Sequence, residues 1–164
     1  MTERPDGPRV PGVAGVPGEP GADRHWLATA IGLSRRCPAS ETAFAVGAVL
    51  VGAGGEVIAT GYSRELDPSD HAEEVALRRA VGRDLGGATL YSSLEPCITR
   101  ASRSVSCSEL ILAARLRRVV IAWREPPIFV PGGGAAWLAA RGVTVQDIPD
   151  LADEARAVNA ALLT

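Results

Sequence analysis

Three observations predict an α/β fold, with a mixed central sheet of about five strands between helices on both faces. Two apolar runs flank the segment GAGGE at residues 52–56, which is a β-hairpin signal. Beyond residue 70, short runs rich in β-branched residues alternate with stretches of helical periodicity, the order of strands joined by crossover helices. The helical stretches open at capping residues and close near Gly or Pro, so their boundaries are marked in the chain itself.

Residues 1–22 are dominated by Pro and Gly. They have little apolar surface to bury, which predicts a disordered tail ahead of one domain over residues 23–164. DRHWLATAIGLSRRC has Trp26, Ala30 and Ile31 at helical spacing. It predicts a helix capped by Asp23 and ending before Pro38, with His25 as a polar surface or capping residue. The hairpin runs AFAVGAVLV and VIATGYSRE are nearly continuous, which predicts strands buried on both faces.

HAEEVALRRA is next. Asp70 as N-cap with Glu73 three residues on completes a capping box, and Glu74 falls on the solvated face. GATLYSSLEPC is a strand running into a turn, where Glu95 either fixes the turn or orients the neighbouring loop. SCSELILAARLR is a helix with Ser106 and Glu109 as a second capping box. The run RLRR at 115–118 suits the negative end of that helix. RRVVIAWRE is a strand, PGGGAAWLAARG a glycine turn into a helix that ends at Gly142, and VTVQDI a short strand. DLADEARAVNAALL closes the chain as a helix capped by Asp150. Trp123 and Trp137 are expected in the core or at a subunit contact.

Composition prunes the function classes. The 164 residues suit one domain. A formal charge of −2 argues against general nucleic-acid binding, which needs a basic footprint. No apolar run is long enough to span a bilayer, and the N-terminus lacks the order of a signal peptide. A soluble cytoplasmic protein is expected. All 17 basic residues are arginine. Without lysine there is neither a Walker-type phosphate loop nor a Schiff-base mechanism. Histidine occurs only as His25 and His71, and asparagine only as Asn159. An odd set of cysteines, Cys37, Cys97 and Cys107, does not suggest a disulfide framework. Cys37, beside Pro38, is read as a buried or idle thiol.

One constellation carries chemistry. His71 opens one helix, Cys97 follows Pro96 at the end of a strand, and Cys107 opens another helix. One imidazole and two thiolates make a three-ligand set for Zn²⁺ that leaves a fourth position for water, the catalytic arrangement. Zinc lowers the pKa of such a water to about 7. Hydroxide can then attack an electron-poor ring carbon that carries an amino group. Glu73, near the metal but not bound to it, can move protons to the ring and the leaving amine. Residues two apart do not share a face of a regular helix, so His71 must lie at the very start of the helix.

H-x-E followed by P-C-x-x-C is the zinc deaminase signature. HAE and EPC match it, but nine residues separate Cys97 from Cys107 where the signature has two. GYSRELDPSDHAEEVAL, LYSSLEPC with its nine-residue gap, and RVVIAWREPPIFV with the glycine turn and AARGVTV together resemble the pyrimidine deaminases of riboflavin biosynthesis in their fungal form. The resemblance covers most of residues 40–148. It implies the three-layer α/β/α cytidine deaminase fold, with His71, Cys97 and Cys107 on zinc and Glu73 as proton shuttle. It further implies hydrolytic deamination of a diaminopyrimidinone bearing a ribosylamino or ribitylamino 5′-phosphate. The loop CITRASRSVSC would lie over the substrate. Arg100 and Arg103 are its candidates for the phosphate, which guanidinium geometry suits. Ser63 is a further substrate-contact candidate, near the position where tRNA adenosine and free-cytosine deaminases hold the substrate with asparagine. The family also implies a homodimer. Two other readings stand beside this one. One is a zinc deaminase of another nucleotide or nucleobase, of cytidine or deoxycytidylate type. The other is a non-catalytic binding subunit that keeps zinc for structure; Glu73 speaks against it.

Overall fold

The computed structural model describes residues 14–164. The elements run α1 (Pro20–Ser34), β1 (Gly47–Val51), β2 (Val57–Tyr62), α2 (Ala72–Arg79), β3 (Thr89–Ser92) and α3 (Cys107–Ala113). They continue with β4 (Arg118–Ile121), α4 (Gly134–Ala139), β5 (Thr144–Asp147) and α5 (Ala152–Val158), and short 3-10 turns flank α5. The strands form one sheet in the order β2-β1-β3-β4-β5. β1 is antiparallel to β2 and β3, whereas β3, β4 and β5 are parallel. The expected mixed five-stranded sheet is present.

The two helical layers can be read from two glycines. Gly61 pairs with Ala48, so it faces the opposite side of the sheet from Gly47. A side chain at Gly47 would strike Ala30 O and Ser34 N of α1; one at Gly61 would strike Ala72 O and Ala76 N of α2. Each helix therefore lies directly on backbone, α1 on one face and α2 on the other. α5 packs against α1, and α3 packs against both α2 and α4. The core between these layers is built on Leu27, Ile31, Val49, Leu50, Leu90 and Ile121.

Several sequence expectations are corrected. β1 is buried on both faces, but β2 alternates and leaves Val57 48% exposed. β2 is an edge strand with one neighbour, so nothing covers its outer end. α1 begins at Pro20, inside the stretch assigned to the tail. Proline suits the first helical position because its missing N–H would be unpaired there. Ala14 packs against the core and Trp26 Nε1 donates to Gly15 O at 3.4 Å. Residues 14–22 thus belong with the domain, and the expectation for residues 1–13 lies outside the described residues. Asp23 is not a cap but a buried acceptor, bonded by the Tyr91 hydroxyl at 2.6 Å and by Arg118 at 2.6 and 2.9 Å. Asp150 does not cap α5; a 3-10 turn precedes the helix, and Asp150 pairs with Arg24 on the surface.

Candidate active site

The site forms where the sheet changes from antiparallel to parallel, beyond the C-terminal ends of β3 and β4, a common place for ligands in open α/β sheets. α2 supplies the first group. Its N-cap is His71, with extended backbone at φ −94° and ψ 154°. The capping partner is Glu74, whose Oε1 accepts from His71 N at 3.4 Å. The helix therefore starts one residue later than the Asp70–Glu73 box predicted. That shift matters for chemistry. With His71 still extended, His71 and Glu73 reach one cavity although they are two residues apart.

The β3–α3 loop and α3 supply the rest. Ser106 caps α3, accepting from Glu109 N at 3.1 Å while Glu109 accepts from Ser106 N at 2.7 Å. This is the predicted capping box, and it sets Cys107 on the first residue of the helix. Cys107 Sγ lies 3.4 Å from His71 Nδ1 and Cys97 Sγ lies 3.6 Å from it. Tetrahedral zinc with ordinary Zn–S and Zn–N bonds sets such atoms about 3.6 Å apart. The three ligand atoms all lie within 4.8 Å of one another. The donor set is two sulfurs and one imidazole nitrogen, and it fits zinc. The two sulfurs titrate as a pair. Hydrogen bonding with Cys107, aided by His71, draws Cys97 down against its burial, and Cys107 is pushed up.

Glu73 is 4% exposed. Burial pushes its carboxyl above the usual range, the Cys97 charge adds, and His71 opposes. Ser92 Oγ sits 2.8 Å from Glu73 Oε1 and fixes the carboxyl at the base of the cavity.

The cavity measures about 400 Å³. Its walls include the Thr42–Phe44 segment, the β2–α2 loop with Ser63 and Arg64, and Leu94 to Ser102. The β4–α4 loop closes it with Glu125, Phe129 and Val130. Phe44 packs edge-on against both Trp123 and Phe129, which ties two of these walls together. Trp123 is buried as expected, while Trp137 lies half-buried under Arg141. Ser63 lines the cavity, but its hydroxyl is engaged with Val46, accepting from the N–H at 3.0 Å.

The two loop arginines part company. Arg100 lines the cavity and its side chain is 2% exposed. Nη2 reaches Ser69 O and Glu74, whereas Nε and Nη1 are buried without a partner. Arg103 does not line the cavity. It pairs with Asp70 at 3.1 Å and Glu74 at 3.0 Å on the outer side of the loop. Its guanidinium is occupied by carboxylates, so it acts as a latch between loop and helix rather than a phosphate contact. Glu74, expected on a solvated face, is the acid both arginines share. Asp70 is fully buried, and Arg78 and Arg103 hold it low against its desolvation.

Glu95 fixes a turn as expected, but of the β4–α4 loop. It accepts from the backbone N–H of Glu125, Gly133 and Ala135 at 3.1, 3.4 and 2.9 Å. His25 is exposed, and half-buried Cys37 bonds Val46 O, both away from the cavity. The residue the sequence did not reveal is Glu125. It reads as one more charge before a double proline, and no local pattern marks it. Its carboxyl is pushed up to about 8, by burial first and then by the charges of Cys97, Glu73 and Glu95.

Comparison with known proteins bears on this geometry. The cytidine and deoxycytidylate deaminase zinc-binding region matches residues 20–123. The chain is 38% identical over 124 residues to the diaminohydroxyphosphoribosylamino-pyrimidine deaminase of Schizosaccharomyces pombe, covering 73% of the chain and 30% of that protein. It is 34% identical over 143 residues to the riboflavin biosynthesis protein RibD of Aquifex aeolicus, covering 87% and 39%. The chain thus spans well under half the length of these curated relatives. A crystal structure of Aspergillus oryzae Rib2 deaminase, a C-terminal deletion mutant, superposes with a TM-score of 0.70 at 25% identity, over 87% of the chain and 99% of that structure.

Proposed function

Because the chain belongs to the cytidine and deoxycytidylate deaminase zinc-binding family, we propose that it deaminates a small aminopyrimidine hydrolytically. The substrate of this reading is the riboflavin-pathway diaminopyrimidinone with a ribosylamino or ribitylamino 5′-phosphate. One observation carries it: a buried carboxyl, Glu73, lines one cavity with His71 and Cys97 of the three zinc donors, and Arg100, whose Nε and Nη1 are buried without a partner, lines it too. The likeness to the S. pombe and Aquifex proteins supports the choice of ring.

His71, Cys97 and Cys107 would hold zinc, which supplies a water acidic enough to react near neutral pH. Glu73 would take a proton from the attacking water and pass it to the bare ring nitrogen beside the amino-bearing carbon. The second proton, given up by the added hydroxyl as it becomes the carbonyl, would go by way of Glu73 to the leaving amine. A C–N bond is exchanged for a C–O bond, and the products are a ring carbonyl and ammonia. Arg100 pairs with the substrate phosphate and anchors the ring over Glu73. Phe44 and Phe129 shield the site from bulk water.

The reading places the enzyme in the cytoplasm, where free thiols stay reduced. It works as a homodimer, for which the exposed Ile128 and Phe129 on the β4–α4 loop offer apolar surface. Among the described residues no helix is long and apolar enough to cross a membrane.

The test is ammonia release from the two pyrimidinone phosphates, cytidine and deoxycytidylate, with zinc measured on the same sample. Turnover of a pyrimidinone phosphate alone is expected. Turnover of a cytosine compound instead would keep the zinc chemistry and overturn the substrate. Stoichiometric zinc with no ammonia from any ring would favour the non-catalytic reading.

A further inference from the structure

Arg64 stands in the turn after β2 with φ 60°, a left-handed conformation that glycine takes without strain and other residues seldom adopt. Strain of this kind persists only where the surroundings hold it, and it gathers at ligand sites. The Arg64 backbone N–H is spent on Asp70 O at 2.9 Å. Its side chain crosses to the segment between α1 and β1. Nε and Nη2 donate to Pro38 O at 3.2 and 2.7 Å, and Nη1 donates to Phe44 O at 3.2 Å. One guanidinium thus joins the carbonyls at both ends of the 38–44 segment. That segment carries Thr42, Ala43 and Phe44 on the wall of the active-site cavity. Pro38 and Ser40 line a second cavity of about 270 Å³, and Ala43 and Arg64 line both. With open space on two sides, packing alone does not fix this stretch of wall. Hydrogen bonds do, from Arg64 at Pro38 and Phe44 and from Asn159 at Ala45.

We infer that Arg64 is a positioning residue for substrate binding: by bridging Pro38 O and Phe44 O it sets the Thr42–Phe44 wall of the substrate cavity. The inference rests on the deaminase reading of that cavity. The bridge needs a fork. Lysine is a compact point charge and lacks the planar set of donors that spans two carbonyls. Glycine keeps the backbone N–H and the left-handed turn but loses the bridge. Phe44 passes the position on, because its ring packs edge-on against Phe129 of the β4–α4 loop. None of His71, Glu73, Cys97 and Cys107 lies on the 38–44 segment. Loosening the wall therefore weakens substrate binding more than it slows the chemistry.

The experiment compares the intact wild-type chain with Arg64→Gly and Arg64→Lys, by amide hydrogen exchange and by KM, kcat and zinc content on the two pyrimidinone phosphates. The amides of Ala45 and Val46 report on the wall, since they are bonded to Asn159 and Ser63. In Arg64→Gly their exchange should rise about 10-fold or more while the β3 amides keep their protection. KM should rise about 10-fold, with kcat and zinc close to the wild-type values. Arg64→Lys should stay nearer to Arg64→Gly than to the wild type. Unchanged exchange in Arg64→Gly would overturn the assignment whatever ring the enzyme takes. Raised exchange with an unchanged KM, on a wild type active towards a pyrimidinone, would overturn the role in binding. A wild-type KM in Arg64→Lys would show that charge suffices and overturn the bridge. Loss of zinc, kcat and β3 protection together would mark a general structural role and overturn the assignment as well. A wild type inactive on both pyrimidinones would overturn the substrate reading, while the exchange result would still decide what holds the wall.

Discussion

Glu73 and Arg100 are both buried polar groups, but they stand in different states of satisfaction. Glu73 has one firm neighbour in Ser92 and otherwise faces the metal donors. Burial keeps its proton affinity high, which suits the proton carrier proposed for it. Glu73→Gln keeps the shape and removes the proton carrier. Its kcat should fall by about 10²- to 10⁴-fold with zinc retained, as ammonia release and metal analysis on one sample will show. Arg100 keeps two N–H-bearing nitrogens without partners at 2% side-chain exposure. On the proposed reading this guanidinium takes the substrate phosphate. Arg100→Ala should raise KM for phosphorylated substrates by about 10-fold or more and leave the phosphate-free analogue unaffected. An equal effect on both would remove the phosphate assignment. His71 shows why position within an element counts. As the extended N-cap of α2 it can aim at the sulfurs, which a residue one turn inside the helix could not do.

At the scale of elements, the metal donors are only as well placed as the helices that carry them. α2 rests on β2 through Gly61, where a Cβ would meet Ala72 O and Ala76 N. Gly61→Val would lift the first turn of α2 and carry His71 with it. The expected cost is about 1–3 kcal/mol of stability for overpacking, together with reduced zinc content, measured by denaturation and metal analysis. Full zinc occupancy in a destabilised variant would show that the metal pulls the helix back into register. The β3–α3 loop has its own fastening. Arg103 bridges to Asp70 and Glu74, and the buried Arg100 shares Glu74 from inside. The β4–α4 loop is held by Glu95, which satisfies three N–H groups around the glycine turn. Gly133 adopts φ 113° there, a conformation that only glycine takes without strain.

For the whole molecule, two long-range polar ties keep the layers in register. Asp23 on α1 accepts from Tyr91 on β3 and Arg118 on β4, and Arg118 continues to Gln146 on β5. Burial pushes the Asp23 carboxyl up, but bonds from Arg118, Gly18 N–H and Tyr91, with the Arg118 charge, outweigh it and hold it below the usual range. A depressed carboxylate contributes stability in full above the unfolded pKa, about 3.9. That contribution is lost as pH falls from there through the lower folded value. Asp23→Asn should therefore destabilise the protein by about 3 kcal/mol at neutral pH and flatten the acid limb of its stability curve. A variant with an unaltered acid limb would show that other carboxylates govern acid unfolding. Asn159, the chain's one asparagine, makes the second tie. Its amide closes on both Ala45 N and Ala45 O, at 2.7 and 3.0 Å, and so pins the C-terminal end to the segment that walls the cavity.

Local chemistry wrote much of this into the chain. Period-2 and helical patterns, the Ser106–Glu109 box and the hairpin glycines mark the sheet and most helices. HAE, EPC and a second cysteine at a helix start mark the metal donors, because ligand types and helix caps are short-range features. Other features arise only where distant segments meet. That Asp23 is a buried acceptor and not a cap depends on the Tyr91 and Arg118 it meets across the sheet. The parting of Arg100 from Arg103 depends on which carboxylates α2 turns outward. The cavity is assembled from four separate stretches, and Glu95 holds the backbone of Glu125 on its wall from 30 residues away. Periodicity and capping are decided within a few residues; burial and the lack of a partner are properties of the assembled interior.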